Sequence, residues 1–299
     1  MDEVSIWLLF NYKGAIYMTS RFLTFEKQND FLVCVDSDGC AMDTMDIKHE
    51  RFFGPFSADV FGISDRDTYL EDWNRINLFS STRGVNRFKA LVMALQNAQE
   101  RGENVGDITA LTEWAETASS LSNGAIQEIL NNKPSEAFEK TLDWSNRVNH
   151  AIETELVGED HPFEGAKEGL EAITKLADVA IVSSANKEAV ESEWERHELL
   201  DSVDAFYAQD RGTKAEAIAD LLTKGYDQKH VLMVGDAPGD EAAADQNGVY
   251  YFPILFGQEK ECWDRLVNEA MPKFLNGEFT EEYQATLKKD FHELLSKYD

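Results

Sequence analysis

From residue 160 to residue 256 the chain alternates between two hydrophobic patterns, and this limits its fold more than any other feature. "FEGAKEGLEAITKL", "NKEAVESEWERHELL", "KAEAIADLLTKG" and "DEAAADQNG" place apolar residues three and four apart and predict helices. Between them, "DVAIVSS", "VDAFYAQ", "HVLMVGD" and "VYYFPIL" are short runs rich in β-branched and aromatic residues and predict buried strands. Strands that alternate with helices imply a parallel sheet covered by helices on both faces. The expected class is therefore α/β.

A further strand belongs to this sheet but lies much earlier, at "FLVCV" (31–35). Between it and residue 160 the pattern is helical. "DTYLEDWNRINLF", "GVNRFKALVMALQNAQERG", "ITALTEWAETASSL" and "SEAFEKTLDWSNRVNHAIETEL" carry the helical period, punctuated by Gly102, Gly106, Gly124 and Pro134. No strand is expected there. The expected organisation is a first core segment at 1–45 with an N-terminal extension at 1–28, and a helical insertion at 46–158. A second core segment follows at 159–257, and two helices at 258–299 pack on the core. The segment up to Phe25 fits no element, and Met18 is an alternative start.

In open parallel sheets, ligands bind beyond the carboxyl ends of the strands. Four such ends carry polar residues. The first strand runs into Asp36, Ser37, Asp38 and Gly39, and the second into Ser183 and Ser184 with Asn186 beyond. The third is followed by "AQDRGTKAEAI", where Thr213 and Glu216 fit a capping box that puts Lys214 in the first helical turn. The fourth ends in "VGDAPGDEA", with Asp236 and Asp240. Two carboxylates about 4 Å apart repel by roughly 1 to 4 kcal/mol, so the Asp36/Asp38 pair calls for a proton or a cation. An aspartate can attack phosphorus, a second carboxyl can serve as acid and base, and magnesium binds through few carboxylates plus phosphate oxygens. A hydroxyl and an ammonium can hold the remaining phosphoryl oxygens. Gly39 lets the backbone approach an anion closely.

"VDSDG", "VAIVSS", the Lys214 segment and "VGDAPGDEAA" resemble, in order and spacing, the four motifs of the haloacid dehalogenase-like hydrolase superfamily. The resemblance covers 31–43 and 160–256 and implies a Rossmann-like core, with the helical block as a cap inserted after the first motif. It implies that Asp36 is the nucleophile. Asp38 would be the acid/base and would offer its backbone carbonyl to Mg2+. Ser183 would bind phosphate, Lys214 would hold phosphate and nucleophile, and Asp236 and Asp240 would serve the metal. Cys40 stands where the family usually has threonine or valine. The implied activity is that of a magnesium-dependent phosphatase acting on a small phosphorylated metabolite through an aspartyl-phosphate. Phosphomutase activity and an inactive phosphate-binding or interaction module are the alternatives. The presence of Asp38 disfavours dehalogenation and phosphonate cleavage.

Other residues keep two readings. Asp240 fits a helix cap as well as a metal ligand, Ser184 competes with Ser183, and Lys214 could be a solvated first-turn lysine. "SSTRGVNRFKAL" brings Arg83, Arg87, Lys89 and Asn86 into an acidic chain. If the helix begins by Arg83, both arginines share one face and could read the substrate; otherwise they pair with surface acids. Trp73 and Phe88 are expected in the helical core, and His49 and His161 are read as structural.

The whole-chain balance is acidic, 28 Lys+Arg against 56 Asp+Glu with net charge -28, which repels nucleic acid and anionic membranes. No apolar run reaches membrane-spanning length. Three cysteines without a CxxC pair point to a reducing compartment rather than a disulfide framework or structural zinc. The acids in "MDEVSIWLLF" argue against an export signal. A cytoplasmic protein, monomeric or homodimeric, with neither nucleic-acid nor membrane partners is expected.

Overall fold

The computed structural model describes Phe22 and residues 25–299. The expected N-terminal extension falls largely, and Met18 wholly, outside the described residues. The sheet among the described residues has five strands: β1 (Leu32–Val35), β2 (Asp178–Val182), β3 (Ala205–Tyr207), β4 (Val231–Gly235) and β5 (Tyr250–Pro253). All pair in parallel in the order β3-β2-β1-β4-β5. The first strand in sequence is thus central, which explains why "LVCV" is apolar at every position: both its faces are covered.

Successive β1 side chains feed opposite cores. Val33 and Val35 join one with Leu170, Trp194, Trp263 and Phe274. Leu32 and Cys34 join the other with Ile218, Leu221, Ala244 and Phe291. Each fully buried Val or Leu contributes about 1.5–3 kcal/mol.

Between β1 and β2 run α1 (Met45–Lys48), α2 (Gly54–Phe61), α3 (Arg66–Asn74), α4 (Arg87–Glu100), α5 (Thr109–Thr117), α6 (Asn123–Asn132) and α7 (Glu136–Glu155). Wider π turns at His49–Phe53 and Arg75–Phe79 join α1 to α2 and extend α3. As expected, this block contains no strand among the described residues. It has its own core, with Trp73, Phe88 and Trp144 at its centre. Gly124, expected as a breaker, lies at the second position of α6, where the preceding Ser122 side chain accepts from Ala125 N and starts the helix.

The core continues with α8 (Ala166–Ile173), α9 (Lys187–Arg196), α10 (Lys214–Leu222) and α11 (Pro238–Asn247). After β5 come α12 (Glu259–Arg265), α13 (Met271–Leu275) and α14 (Glu281–Leu295). The residues after β5 bind the molecule together: Trp263 Nε1 donates to Cys40 O at 3.0 Å, and Tyr298 packs on both Phe79 and Phe256. Among the described residues, no helix is long and apolar enough to cross a membrane.

Candidate active site

Asp36 follows β1 directly. Its N–H still donates to Val234 O at 3.0 Å, so the sheet ladder itself fixes this residue. The register pairs Val35 with Ile181 on one side and with Val234 on the other. Ser183 and Asp236 therefore emerge from the neighbouring strands at the same end. Lys214 arrives from the third strand: Gly212 and Thr213 turn the chain, the expected Thr213/Glu216 capping box forms, and Lys214 opens α10.

These elements converge. The Lys214 ammonium lies 2.5 Å from Asp36 Oδ2 and 2.5 Å from Asp240 Oδ1. The other Asp36 oxygen accepts from Ser37 N at 2.8 Å. Asp240 is not the helix N-cap residue. It sits at the third position of α11 and reaches back to accept from Ala237 N at 3.0 Å, so a capping bond and the Lys214 contact coexist on one side chain. This fold-back needs Gly235 at the end of β4, since a Cβ there would lie 2.3 Å from Asp240 Cγ. Gly39 is equally constrained: its φ is +79° and a Cβ would come within 2.3 Å of Asp236 Oδ2.

Asp36, Asp236 and Asp240 each offer an oxygen within 4.8 Å of the others, and all three are buried. Burial pushes the Asp36 carboxyl up to about 7 against the pull of Lys214, and pushes Asp236 up to about 6 against that of Arg83. Burial alone would lower the Lys214 ammonium, but Asp240 and Asp36 hold it well above its ordinary range. Asp236 Oδ1 is buried and has no hydrogen-bond partner. An all-oxygen donor set with an orphaned carboxylate oxygen fits a hard divalent cation.

Asp38 faces elsewhere. Its Oδ1 accepts from Thr44 Oγ1 at 2.5 Å and from Lys48 Nζ at 2.7 Å. Burial acts to raise its carboxyl, but the Lys48 ammonium and the Thr44 hydroxyl outweigh it, and the group titrates below the ordinary range. Lys48 also binds Glu193 of α9 at 2.9 Å. Sequence reasoning missed both residues. The available signal was a lysine in "MDIKHERFF", flanked by residues that become core.

Ser183 is buried and its Oγ accepts from Ala185 N at 3.1 Å, whereas Ser184 is exposed. Asn186 caps α9 through Ala189 N at 3.1 Å, which commits its side-chain oxygen to the fold. Cys40 is buried, with Sγ 3.6 Å from Val234 O.

The two arginines do not share a helical face. The helix begins at Arg87, with Asn86 as N-cap accepting from Phe88 N at 3.0 Å. Arg87 points into the helical block, donates to Asn149 Oδ1 at 2.7 Å and lies over the Phe53 ring. Arg83 sits in the preceding turn, 3% exposed, and its guanidinium reaches Asp236 Oδ2 at 2.7 Å. His49 is structural: it accepts from Trp73 Nε1 at 3.2 Å, and burial pushes its imidazole down to about 3.

No curated protein matches the chain. Among solved structures, a predicted phosphoglycolate phosphatase from Haemophilus somnus is 14% identical, covering 76% of this chain and 86% of its own with a TM-score of 0.49. A predicted phosphatase from Clostridium acetobutylicum is 12% identical over 82% of this chain and 100% of its own, with a TM-score of 0.49. A haloacid dehalogenase-like family hydrolase from Xanthomonas campestris is 12% identical over 86% and 98%, with a TM-score of 0.47. The family model of haloacid dehalogenase-like hydrolases matches residues 86–254. That span starts after Asp36 and Asp38 and includes Ser183, Lys214, Asp236 and Asp240. It is more than half of the 299 residues, and the chain belongs to the haloacid dehalogenase-like hydrolase family.

Proposed function

We propose that this chain is a magnesium-dependent phosphatase that hydrolyses a small phosphorylated metabolite through an aspartyl-phosphate on Asp36, with the helical block at 46–158 acting as its cap. The observation that carries this reading is the Lys214 ammonium held between Asp36 and Asp240 at the strand ends, beside an Asp236 oxygen that lacks a partner. Asp36, Asp236 and the backbone at Asp38 would hold magnesium, with Asp240 supporting the site. The ion would supply positive charge to the oxygens of the transferring group.

The chain's own residues supply the remaining chemistry. An Asp36 oxygen attacks phosphorus while the bond to the leaving oxygen breaks. Lys214 keeps the nucleophile oriented and adds positive charge where the phosphoryl oxygens gather. Ser183, Gly39 and the exposed hydroxyl of Ser184 are the candidates to receive those oxygens. The leaving oxygen takes its proton from Asp38. Water then attacks the aspartyl-phosphate and gives a proton to Asp38, and the bond between phosphorus and Asp36 breaks to release phosphate. In the present arrangement Lys48 and Thr44 hold Asp38 ionised, the form that receives the proton from water. Asp38 must acquire a proton before it can protonate a leaving group.

The test is hydrolysis of a generic aryl phosphate with magnesium and with a chelator. Metal-dependent release of phosphate is expected. No turnover with any of a panel of metabolite phosphates, in either condition, would overturn the assignment.

A further inference from the structure

The carboxylate cluster holds two protein cations, and only Lys214 belongs to the sheet unit. Arg83 enters from the turn that follows the π turn extending α3. Its segment is tightly tied: Arg83 N donates to Ser80 O at 2.9 Å, Gly84 N to Asn77 O at 3.1 Å, and Thr82 Oγ1 to Ile76 O at 2.6 Å. The turn is pressed against the β4 loop. Gly84 has φ +69°, and a Cβ there would lie 2.6 Å from that of Ala237.

The guanidinium is consequently delivered to one place. Its Nε donates to Asp236 Oδ2 at 2.9 Å and to Asp236 O at 3.1 Å, its Nη2 reaches the same carboxylate oxygen at 2.7 Å, and its Nη1 donates to Leu78 O. The Phe256 ring lies 5.4 Å away and helps exclude water. Nη2 also abuts Gly39, where a Cβ would be 2.8 Å from it. The Asp236 carboxylate is thus engaged through Oδ2 by an arginine, while Oδ1 stays buried without a partner.

A guanidinium and a small divalent ion compete for such a carboxylate. Magnesium demands near-octahedral oxygen ligands at about 2.0–2.1 Å, and a buried guanidinium on the same carboxylate both blocks an oxygen and repels the ion. We propose that Arg83 is a built-in competitor of the divalent cation: with the 80–84 turn seated, its guanidinium holds Asp236, and metal loading requires the turn to withdraw. Metal binding and seating of this part of the helical block are then reciprocally coupled, since whatever releases the turn tightens the metal, and the metal releases the turn. This rests on the reading of Asp236 as a metal ligand.

The experiment is calorimetric titration of the full chain with magnesium chloride, without substrate, for the wild type and for Arg83→Gln, Arg87→Gln and Asp236→Asn. Arg83→Gln is expected to bind at least ~10-fold more tightly than wild type, about 1.4 kcal/mol. Arg87→Gln removes a nearby charge that does not touch Asp236, and should change affinity much less. Unchanged or weaker binding in Arg83→Gln, or equal tightening in both arginine variants, would overturn the competition. Wild-type affinity in Asp236→Asn would instead overturn the metal reading itself. Amide exchange on the wild type gives a second readout that needs no variant. Magnesium should speed exchange at the Arg83 and Gly84 amides, and slowed or unchanged exchange would contradict withdrawal of the turn.

Discussion

Lys214 and Arg83 each bring one positive charge to the same carboxylate cluster, Lys214 to Asp36 and Asp240 and Arg83 to Asp236, and they arrive by different routes. Lys214 is placed by rules local to its own strand–loop–helix unit. A capping box fixes the start of α10, and the parallel sheet puts that start beside β1. Arg83 is placed by the packing of the helical block against the β4 loop, and nothing within a few residues of it dictates Asp236 as its partner. The sheet side of the site is therefore set by local rules, while the helical side depends on how two separately packed cores meet.

The largest effect should come from the sheet side. Asp36→Asn is expected to cut turnover by at least ~10³-fold, because an amide cannot form the phospho-enzyme. Its far-UV circular dichroism should stay native. Turnover within a factor of ten of wild type would break the comparison at its strongest point.

Lys48→Met probes the helical side. The ammonium is almost fully buried between Asp38 and Glu193, and removing it strands Glu193 and leaves Asp38 with the Thr44 hydroxyl. A stability loss of about 3 kcal/mol is expected, read by urea denaturation. Native stability in this variant would mean that Asp38 and Glu193 find other partners.

Gly39→Ala should cost about 2 kcal/mol, from a left-handed backbone and a Cβ that collides with Asp236 Oδ2 and Arg83 Nη2. The closest collision displaces the Asp236 carboxylate itself, and with that ligand displaced magnesium affinity should weaken along with stability even though Arg83 is pushed away too. A loss of stability alone would separate the loop from the metal site.

The smallest effect concerns pH. Burial pushes the Glu193 carboxyl up from its ordinary 4.5 to about 7 despite Lys48. Below 4.5 the folded and unfolded chains both carry this proton. Between 4.5 and about 7 the unfolded chain releases it and the folded chain keeps it, so rising pH favours unfolding across this window. Wild type should therefore lose stability relative to Glu193→Gln over that interval, by on the order of 1 kcal/mol, in denaturation curves taken at its two ends. A constant difference would show that the carboxyl is not perturbed.

Much of the sheet side was legible in the sequence. Strand period, helix period and turn residues act within a few positions of one another, so all five strands and the helices between them could be read, along with the convergence of Asp36, Lys214, Asp236 and Asp240. The strands came out shorter than their apolar runs: "VDAFYAQ" yields only Ala205–Tyr207. The helical side was legible only as helix. Gly124 reads as a breaker but is tolerated in the first turn of α6. Arg83 and Arg87 look like one face until Asn86 is recognised as the N-cap of α4, a signal that "VNRF" contained. The Lys48 pair with Asp38 and the Arg83 pair with Asp236 join segments through tertiary packing, and no local pattern encodes such pairs.

The central claim is that Asp36 carries the phosphoryl group during turnover, and trapping that species tests it most directly. Wild-type chain turning over an aryl phosphate with magnesium would be quenched rapidly in acid, digested and mapped by mass spectrometry. The account predicts a phosphoryl adduct on the peptide containing Asp36, formed before steady-state phosphate release and absent from Asp36→Asn. An adduct on another residue, such as Ser183, or full turnover with no adduct at any quench time, would contradict it.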